Sequence, residues 1–288
     1  MLNRPWAEAR YFGWETMMAQ DTTRRQSPAL NPVDPIWHRI RQEAEAAVDT
    51  DPAIGTFFHT GVLNQAGLEQ AIAHRVAERL DHPDVPAELI RQAFDAMFDA
   101  DTGFAEAVRI DLQAVFDRDP ACHRLLEPLL YFKGFHAIQT HRLAHWLHSN
   151  GRRDFALYLQ SRSSSEFQTD INPAAKIGKG IFLDHATGLV VGETAAIGDD
   201  VSILHSVTLG GTGKEGSDRH PKIGSGVLIG AGAKILGNIT VGNCSKVAAG
   251  SVVLADVPPC KTVAGVPAKV VGESGCAEPS RAMDQMLS

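Results

Sequence analysis

An aliphatic residue recurs every six positions through most of residues 177–253. Six residues is the period neither of an α-helix, which repeats every 3.6 residues, nor of a simple strand, which repeats every two. It is typical of a parallel β-helix, in which three short strands form one triangular coil and the aliphatic side chains stack inside. With three such positions to a coil, we expect about four coils. The repeat consists of Ile177, Leu183, Val191, Ile197, Ile203, Leu209, Ile223, Ile229, Ile235, Val241, Val247 and Val253.

The first interruption of the repeat is the step from Leu183 to Val191, which is eight residues long. Its two extra residues fall in the sequence LDHATG, where Asp184 and His185 are adjacent. Because no aliphatic side chain of the repeat points inward at these extra residues, we expect polar side chains to project from this corner. A histidine at such a corner is also compatible with an ordinary surface position, and Asp184 with a hydrogen bond to local backbone.

The second interruption is the fourteen-residue step from Leu209 to Ile223. We predict that residues 210–222, GGTGKEGSDRHPK, leave the coil as a loop that carries the charged group DRH at 218–220. Loops on a rigid scaffold commonly carry function, although such charges are also often only solvated. Asp170, at the entrance to the solenoid, is a further candidate that could equally cap a turn. Together these residues offer a base, a carboxylate to orient it and a cation.

The rest of the chain divides into three regions. Between residues 34 and 168, apolar residues recur at three- and four-residue spacing, as in LEQAIAHRVAERL, which predicts an all-helical domain. The solenoid then occupies residues 169–272. The tail, 273–288, has few apolar residues and no period, and residues 1–33 form an extension, so we expect both to be loosely held.

Composition excludes several classes of protein. The 288 residues carry a formal net charge of −7, with a pI of about 5.9, which argues against a nucleic-acid-binding protein. The hydrophobic content is 44%, and no apolar run is long enough to cross a bilayer. The four cysteines show no CxxC spacing, and the N-terminus lacks the apolar core of a signal peptide. We therefore expect a cytoplasmic protein with reduced thiols, bound neither to nucleic acid nor to a membrane.

Several motifs resemble those of one family. The combination of DHATG with GGTGK…DRHPKIG is similar to the serine acetyltransferases, a family of the hexapeptide-repeat acyltransferase class. The similarity extends upstream through RDPAC and LLYFKGFHAIQTHRLAHWL, and downstream to AGVPAKVVG. A hexapeptide repeat alone would indicate only an acyltransferase-like protein, whereas this combination is specific. The resemblance implies a left-handed parallel β-helix after the all-α N-terminal domain.

The resemblance also implies an activity and the residues that perform it. The activity is acetyl transfer from acetyl-CoA to the hydroxyl of L-serine, which gives O-acetyl-L-serine for cysteine biosynthesis and needs no metal. The catalytic histidine of the family matches His185, and its partner carboxylate matches Asp170. The serine-binding residues match Asp119, Asp184, Arg219 and His220. Residues near the CoA groove match Gly211, Ala231, Lys246 and Ala249.

The resemblance further implies an assembly and a regulator. Solenoids of this class form homotrimers, and in this family two trimers pair through the helical domain to give a hexamer. The loop 210–222 would then complete the site of a neighbouring chain. L-Cysteine is expected to inhibit at the serine site. Family members often end in an isoleucine that inserts into O-acetylserine sulfhydrylase, whereas this chain ends in Ser288, so we expect weak binding to that enzyme or none.

Three alternatives stay open at the level of sequence. One is an acetyltransferase of the same class that acts on another hydroxyl acceptor, such as a sugar. A second is a γ-type carbonic anhydrase, which uses a left-handed β-helix to bind zinc through three histidines. Its close histidine pair is missing, since His205 and His220 are fifteen residues apart. The third is a noncatalytic scaffold, which would leave the loop 210–222 and the DHATG motif without a role.

Overall fold

A computed structural model describes residues 34–213, 216–275 and 278–286. The predicted extension 1–33 and the terminal Ser288 lie outside the described residues. Residues 35–168 fold into helices, and the predicted boundary at residue 168 falls between the last of these helices and the first strand. The α-helices are α1 Pro35–Thr50, α2 Gly55–Phe58, α3 Leu68–Leu80, α4 Ala87–Ala100, α5 Thr102–Arg118, α6 Leu126–Leu130, α7 Lys133–Ser149 and α8 Arg153–Phe167, and α2 is flanked by a 3-10 helix, Pro52–Ile54, and a π-helix, His59–Leu63.

Helix α7 differs from the amphipathic helices around it because it is buried on nearly every side. It packs against α8 and α5 and reaches the first strands of the solenoid. Several of its polar side chains have specific partners. Arg142 donates to the fully buried carboxylate of Asp111 over 2.6 Å and to the carbonyl of Gly178 over 2.8 Å. This ion pair therefore fixes α5 and α7 to one corner of the solenoid.

The solenoid follows at once. It comprises three parallel sheets, in the orders β1-β4-β7-β10-β13, β2-β5-β8-β11 and β3-β6-β9-β12-β14, with β15 antiparallel to β14. A helical region followed by a parallel β-helix confirms the predicted fold class. The strands are β1 Thr169–Ile171, β2 Lys176–Ile177, β3 Phe182–Leu183, β4 Leu189–Val191, β5 Ala196–Ile197, β6 Ser202–Ile203, β7 Thr208–Gly210, β8 Lys222–Ile223, β9 Leu228–Ile229, β10 Lys234–Leu236, β11 Thr240–Val241, β12 Lys246–Val247, β13 Val252–Val253, β14 Lys261–Gly265 and β15 Ala268–Glu273.

The expectation of about four coils was wrong, because the solenoid has about five. Strand β1 begins the first coil before the first residue counted in the repeat, and its Ile171 pairs with Val191. At the other end Val257 bridges to Val241, and Val263 of β14 pairs with Val247. The step from Val253 to Val257 is only four residues, so the six-residue spacing breaks before the last coil, which these backbone pairings continue. Ile171 lies six residues before Ile177 and follows the repeat, but the count began after it.

Glycine at position 134 lets α7 dock directly on the solenoid. A Cβ at Gly134 would overlap the carbonyl oxygen of Leu183, the last residue of β3. We expect Gly134→Ala to lower the melting temperature markedly, because overpacking against backbone costs roughly 1–3 kcal/mol or more. Gly55→Ala is the matched control, since its Cβ would meet Val48 at an ordinary 3.6 Å. Equal melting temperatures for the two variants, measured by calorimetry, would contradict this account of the docking.

Two buried histidines of α7 predict a loss of stability in mild acid. Burial lowers the pKa of His136 and of His141 to about 3, from 6.5. Below about pH 6.5 the unfolded chain binds protons that the folded chain does not. The free energy of unfolding therefore keeps its full value above that pH. As the pH drops towards 3, each of the two histidines lowers it by about 1 kcal/mol for every pH unit. Urea unfolding between about pH 7.5 and pH 5.5 measures this dependence.

The matched variant for this pH dependence is His136→Gln. The Nε2 of His136 donates to the carbonyl of Leu129 over 2.8 Å, and a glutamine amide can make the same kind of bond without titrating. We expect the variant to lose less stability than the wild type over the same pH interval. An equal loss would show that His136 does not contribute to the acid sensitivity.

The C-terminal segment folds back along the solenoid. A short helix, α9 Pro279–Ala282, precedes residues that reach Lys246 on β12. The ammonium of Lys246 is buried and donates to the carbonyls of Asp284, over 3.2 Å, and Met286, over 2.8 Å. Ser202 donates to the carbonyl of Ser280 over 2.8 Å. None of the helices within the described ranges combines the length and apolar character that a bilayer-crossing helix needs.

Candidate active site

The eight-residue step after β3 forms an unusual corner. His185 and Ala186 both have φ of 57°, a left-handed conformation that residues other than glycine rarely adopt. The two extra residues carry the imidazole out of the coil, and 76% of the His185 side chain is exposed. The structure therefore places His185 where a substrate can reach it, at the position that the irregular step predicted to be polar.

A cavity of about 320 Å³ lies against this corner and is shared by the helical region and the solenoid. Asp119, which follows α5, and Asp184 line it together with His185. The Oδ1 of Asp184 lies 3.7 Å from the Nε2 of His185. Burial raises the pKa of Asp184, the nearby His185 opposes that shift, and the negative charge of Asp119 adds to it. Three of the predicted residues thus meet in one cavity that contains two carboxylates and an imidazole.

Asp170 does not line the cavity that holds Asp119, Asp184 and His185. It is in the middle of β1, and its Oδ1 accepts a hydrogen bond of 2.7 Å from the side chain of Gln160 on α8. The contacts of the His185 side chain are instead with Asp184 and with the ring of His205. The role of Asp170 as the carboxylate that orients His185 therefore stays a prediction.

Arg219 and His220, which precede β8, lie at a different corner of the coils, against Glu193 and Thr194 of the turn between β4 and β5. The guanidinium of Arg219 donates to Glu193 over 2.7 Å and holds the pKa of that carboxyl below its usual range. The Nδ1 of His220 accepts from the backbone N–H of Thr194 over 3.2 Å, so its proton is on Nε2. Burial, and then the charge of Arg219, lower the pKa of His220, which favours this neutral form. Within one chain these two residues do not line the cavity at His185.

The corner that carries His185 continues along the solenoid to part of the predicted CoA groove. Backbone bonds stack its turns one above another, since Gly232 donates to the carbonyl of His205 over 2.9 Å and Gly250 to that of Ala231 over 2.8 Å. His185, His205, Ala231 and Ala249 therefore follow one edge of the solenoid. Beyond His205 the edge carries only the small side chains of Ala231 and Ala249 and their glycine and alanine neighbours, which leaves room for a narrow ligand.

The other two residues predicted at the groove have different surroundings. A Cβ at Gly211 would lie 3.4 Å from the side chain of Arg219, so this residue belongs to the loop corner. Lys246 is buried beneath the C-terminal segment, where its ammonium binds backbone carbonyls. The CoA contacts of both residues stay predictions.

His205 is the residue of this site that sequence reasoning missed. Its ring centroid lies 6.0 Å from that of His185, with the rings at 77°. The strand pairing of Leu183 with Ile203 shows that this coil is twenty residues long because of the two extra residues. Adding twenty to His185 would have found His205. Within residues 34–213, 216–275 and 278–286, no group of three or more His, Cys, Asp and Glu side chains is placed to hold a metal ion.

Comparisons with known proteins identify the family. A family model described as "Serine acetyltransferase, N-terminal" matches residues 36–140, and a model of the bacterial transferase hexapeptide matches residues 220–255. A serine acetyltransferase of Salmonella typhimurium is 54% identical over 250 residues, which cover 87% of this chain and 92% of the relative. The chain belongs to the serine acetyltransferase family.

Solved serine acetyltransferases share the fold over nearly their whole length. The enzyme of Brucella abortus in complex with coenzyme A is 67% identical, with a TM-score of 0.84, and the match covers 85% of this chain and 98% of that chain. A serine acetyltransferase in complex with cysteine is 49% identical, with a TM-score of 0.86, over 88% of this chain and 98% of that chain. The family fold therefore includes both the helical region and the solenoid.

Proposed function

We propose that this protein transfers an acetyl group from acetyl-CoA to the hydroxyl of L-serine, giving O-acetyl-L-serine and CoA in cysteine biosynthesis. The observation that carries the proposal is the cavity in which His185 lies beside the carboxylates of Asp119 and Asp184, in a member of the serine acetyltransferase family. Family membership favours acetyl transfer to serine over the zinc, scaffold and sugar-acceptor alternatives.

His185 is proposed as the general base. A serine hydroxyl is a poor nucleophile near neutral pH, and an imidazole that takes its proton during attack on the thioester accelerates the reaction roughly 10²- to 10⁴-fold. The same imidazole can then protonate the departing thiolate of CoA. A carboxylate that holds the imidazole and stabilises its charged form is the role proposed for Asp170. That role requires Asp170 to exchange its hydrogen bond with Gln160 for one with His185.

The amino-acid groups of L-serine call for charges of both signs. Asp119 and Asp184, in the cavity beside His185, suit the ammonium group. Arg219 suits the carboxylate, because its planar fork of donors matches a carboxylate in a bidentate pair. Since Arg219 and His220 lie at a different corner from His185, we propose that the loop of a second chain supplies them. A homotrimer of solenoids would create three such shared sites.

Acetyl-CoA is proposed to bind along the edge that runs from His185 past Ala231 and Ala249. The narrow pantetheine arm fits against these small side chains and brings the thioester to the imidazole. We propose that His205, one coil below His185, donates a hydrogen bond to the oxygen on which negative charge develops during attack, which its ring contact with His185 supports. The structure of the Brucella abortus relative with coenzyme A supports acetyl-CoA as the acyl donor.

L-Cysteine is proposed as an inhibitor at the serine site. It presents the same ammonium and carboxylate groups as L-serine, so Asp119, Asp184 and Arg219 would bind both. The cysteine-bound serine acetyltransferase supports this proposal. Pairing of two trimers and a cytoplasmic location remain predictions.

Release of CoA from acetyl-CoA tests the proposed function. We expect a rate that depends on added L-serine and yields one O-acetyl-L-serine per CoA. D-Serine should be a poor acceptor, because its hydroxymethyl group would point away from His185 when both charged groups are held. A free sugar has neither charged group and should give no rate above that without acceptor. Equal rates with L-serine, a sugar and no acceptor would reject the proposal.

A further inference from the structure

Lys133 is the first residue of α7, and its ammonium joins three separate segments. Its Nζ donates to the side-chain oxygen of Gln168 over 3.1 Å and to the hydroxyl of Thr187 over 2.5 Å. Gln168 connects α8 to β1, and Thr187 lies two residues after His185 in the irregular corner. One side chain thus links the helical region to the entrance of the solenoid and to the corner that carries the proposed base.

The corner at His185 needs external support. Left-handed backbone at a residue other than glycine costs of order 1–3 kcal/mol, and both His185 and Ala186 adopt it. The backbone N–H groups of Ala186 and Thr187 bond only within the turn, to the carbonyls of Asp184 and His185, each over 2.7 Å. Backbone bonds to the next coil are made at the two ends of the corner, from Asp184 to the carbonyl of Ile203 over 2.9 Å and from Ser206 to that of Thr187 over 2.7 Å. Such strain persists only where the surrounding structure holds it in place.

Thr187 passes the contact of Lys133 on to His185. Its hydroxyl accepts from the ammonium of Lys133 and donates to the carbonyl oxygen of His185 over 3.4 Å. The backbone that carries Lys133 is held in place, because Gly134 packs the start of α7 against the carbonyl of Leu183. A short chain of contacts therefore runs from an anchored helix start to the backbone of the proposed base.

We propose that Lys133 is a positioning residue for acetyl transfer, which holds the strained corner so that the imidazole of His185 meets the serine hydroxyl. This inference rests on the proposed function. It assigns to the helical region a part in the chemistry: Lys133 lines the cavity beside His185, and its ammonium, bound to Gln168 and Thr187, acts on the imidazole through the corner. Displacing a reacting group by about 1 Å can cost on the order of 10²-fold in rate, so loss of this bridge should reduce turnover.

Steady-state kinetics of Lys133→Met, which keeps the aliphatic stem and removes the ammonium, tests the proposal. We expect kcat to fall about tenfold or more, whereas the KM values for serine and acetyl-CoA and the inhibition constant of L-cysteine change by less than about threefold. Lys133→Arg should recover part of the rate because it keeps a donor. Thr187→Val should lower kcat in the same way, and adding it to Lys133→Met should cost little more, since both remove one interaction.

Lys179→Met is the matched control. Lys179 also joins a helix to a solenoid corner, because its ammonium binds Glu106 of α5 over 2.6 Å, but that corner lies between β2 and β3. We expect its kcat to equal that of the wild type. An equal loss of kcat in Lys179→Met would mean that any weakened link between the two regions slows turnover, and would overturn the specific role of Lys133.

Hydrogen–deuterium exchange of the peptide 184–190 gives a readout that does not depend on activity. We expect faster exchange in Lys133→Met and Thr187→Val and unchanged exchange in Lys179→Met. Unchanged exchange in Lys133→Met would overturn the proposal. So would a raised KM for serine with weaker cysteine inhibition and a normal kcat, because Lys133 would then bind the amino-acid carboxylate. If wild type releases no CoA with serine, the proposed function fails, whereas the exchange experiment still reports on the corner.

Discussion

His185→Ala is expected to lose nearly all turnover while the protein keeps its fold and assembly. The side chain is exposed at the corner and contributes nothing to the aliphatic interior, so its removal should not destabilise the solenoid. It is, however, the proposed base, and loss of general-base catalysis lowers kcat roughly 10²- to 10⁴-fold. Serine-dependent release of CoA, measured at saturating concentrations of both substrates, gives the size of the effect.

The control for this variant is His59→Ala, at an exposed histidine of the helical region far along the chain from the solenoid. We expect His59→Ala to turn over like the wild type and both variants to give the same size-exclusion profile. A correctly assembled His185→Ala protein with a near-normal kcat would remove His185 from the chemistry.

Arg219→Ala is expected to raise the KM for serine far more than the KM for acetyl-CoA. A charge-assisted contact with a carboxylate is worth about 1.5–3 kcal/mol, which corresponds to a ten- to two-hundred-fold change. Cysteine inhibition should weaken in parallel, because cysteine presents the same carboxylate. Arg219→Lys should restore binding only in part, since a point charge does not reproduce two parallel hydrogen bonds. Steady-state kinetics with each substrate varied in turn measures these constants.

Arg91→Ala is the matched control for Arg219→Ala. Arg91 also pairs with an acidic side chain, Glu88, over 2.6 Å at the protein surface, but it lies on α4. We expect no change in either KM, because an exposed pair of this kind contributes little. If Arg219→Ala loses affinity for acetyl-CoA while serine and cysteine bind normally, Arg219 belongs to the CoA site and its assignment to serine fails.

The regular part of the fold could be predicted because one local pattern specifies it. The six-residue repeat fixed which side chains face the interior, and its two interruptions located Asp184, His185 and the loop 210–222. The fifth coil escaped prediction because the count left out Ile171 and because a four-residue step from Val253 to Val257 breaks the repeat, where backbone pairing continues the stack.

The parts of the site that could not be predicted from spacing depend on long-range packing. Asp119 reaches the cavity only because α5 and α7 dock on the first coil through the buried Asp111–Arg142 pair. No short sequence pattern predicts this packing, because the two residues of the pair are 31 positions apart. The hydrogen bonds between Lys246 and the C-terminal segment could not be predicted either, because that segment has no periodic pattern. The family resemblance supplied residue assignments that the described contacts do not test, above all for Asp170.

Activity of mixed assemblies tests the central claim, a serine site shared between the His185 corner of one chain and Arg219 of another. His185→Ala and Arg219→Ala chains, coexpressed with different tags, are purified as mixed assemblies and assayed at low serine concentration. Each variant alone should be nearly inactive. Every mixed trimer contains one intact site among its three, so about a third of the wild-type activity should return. If both residues act within one chain, no mixed assembly contains an intact site, and activity no higher than that of the single variants would contradict the account.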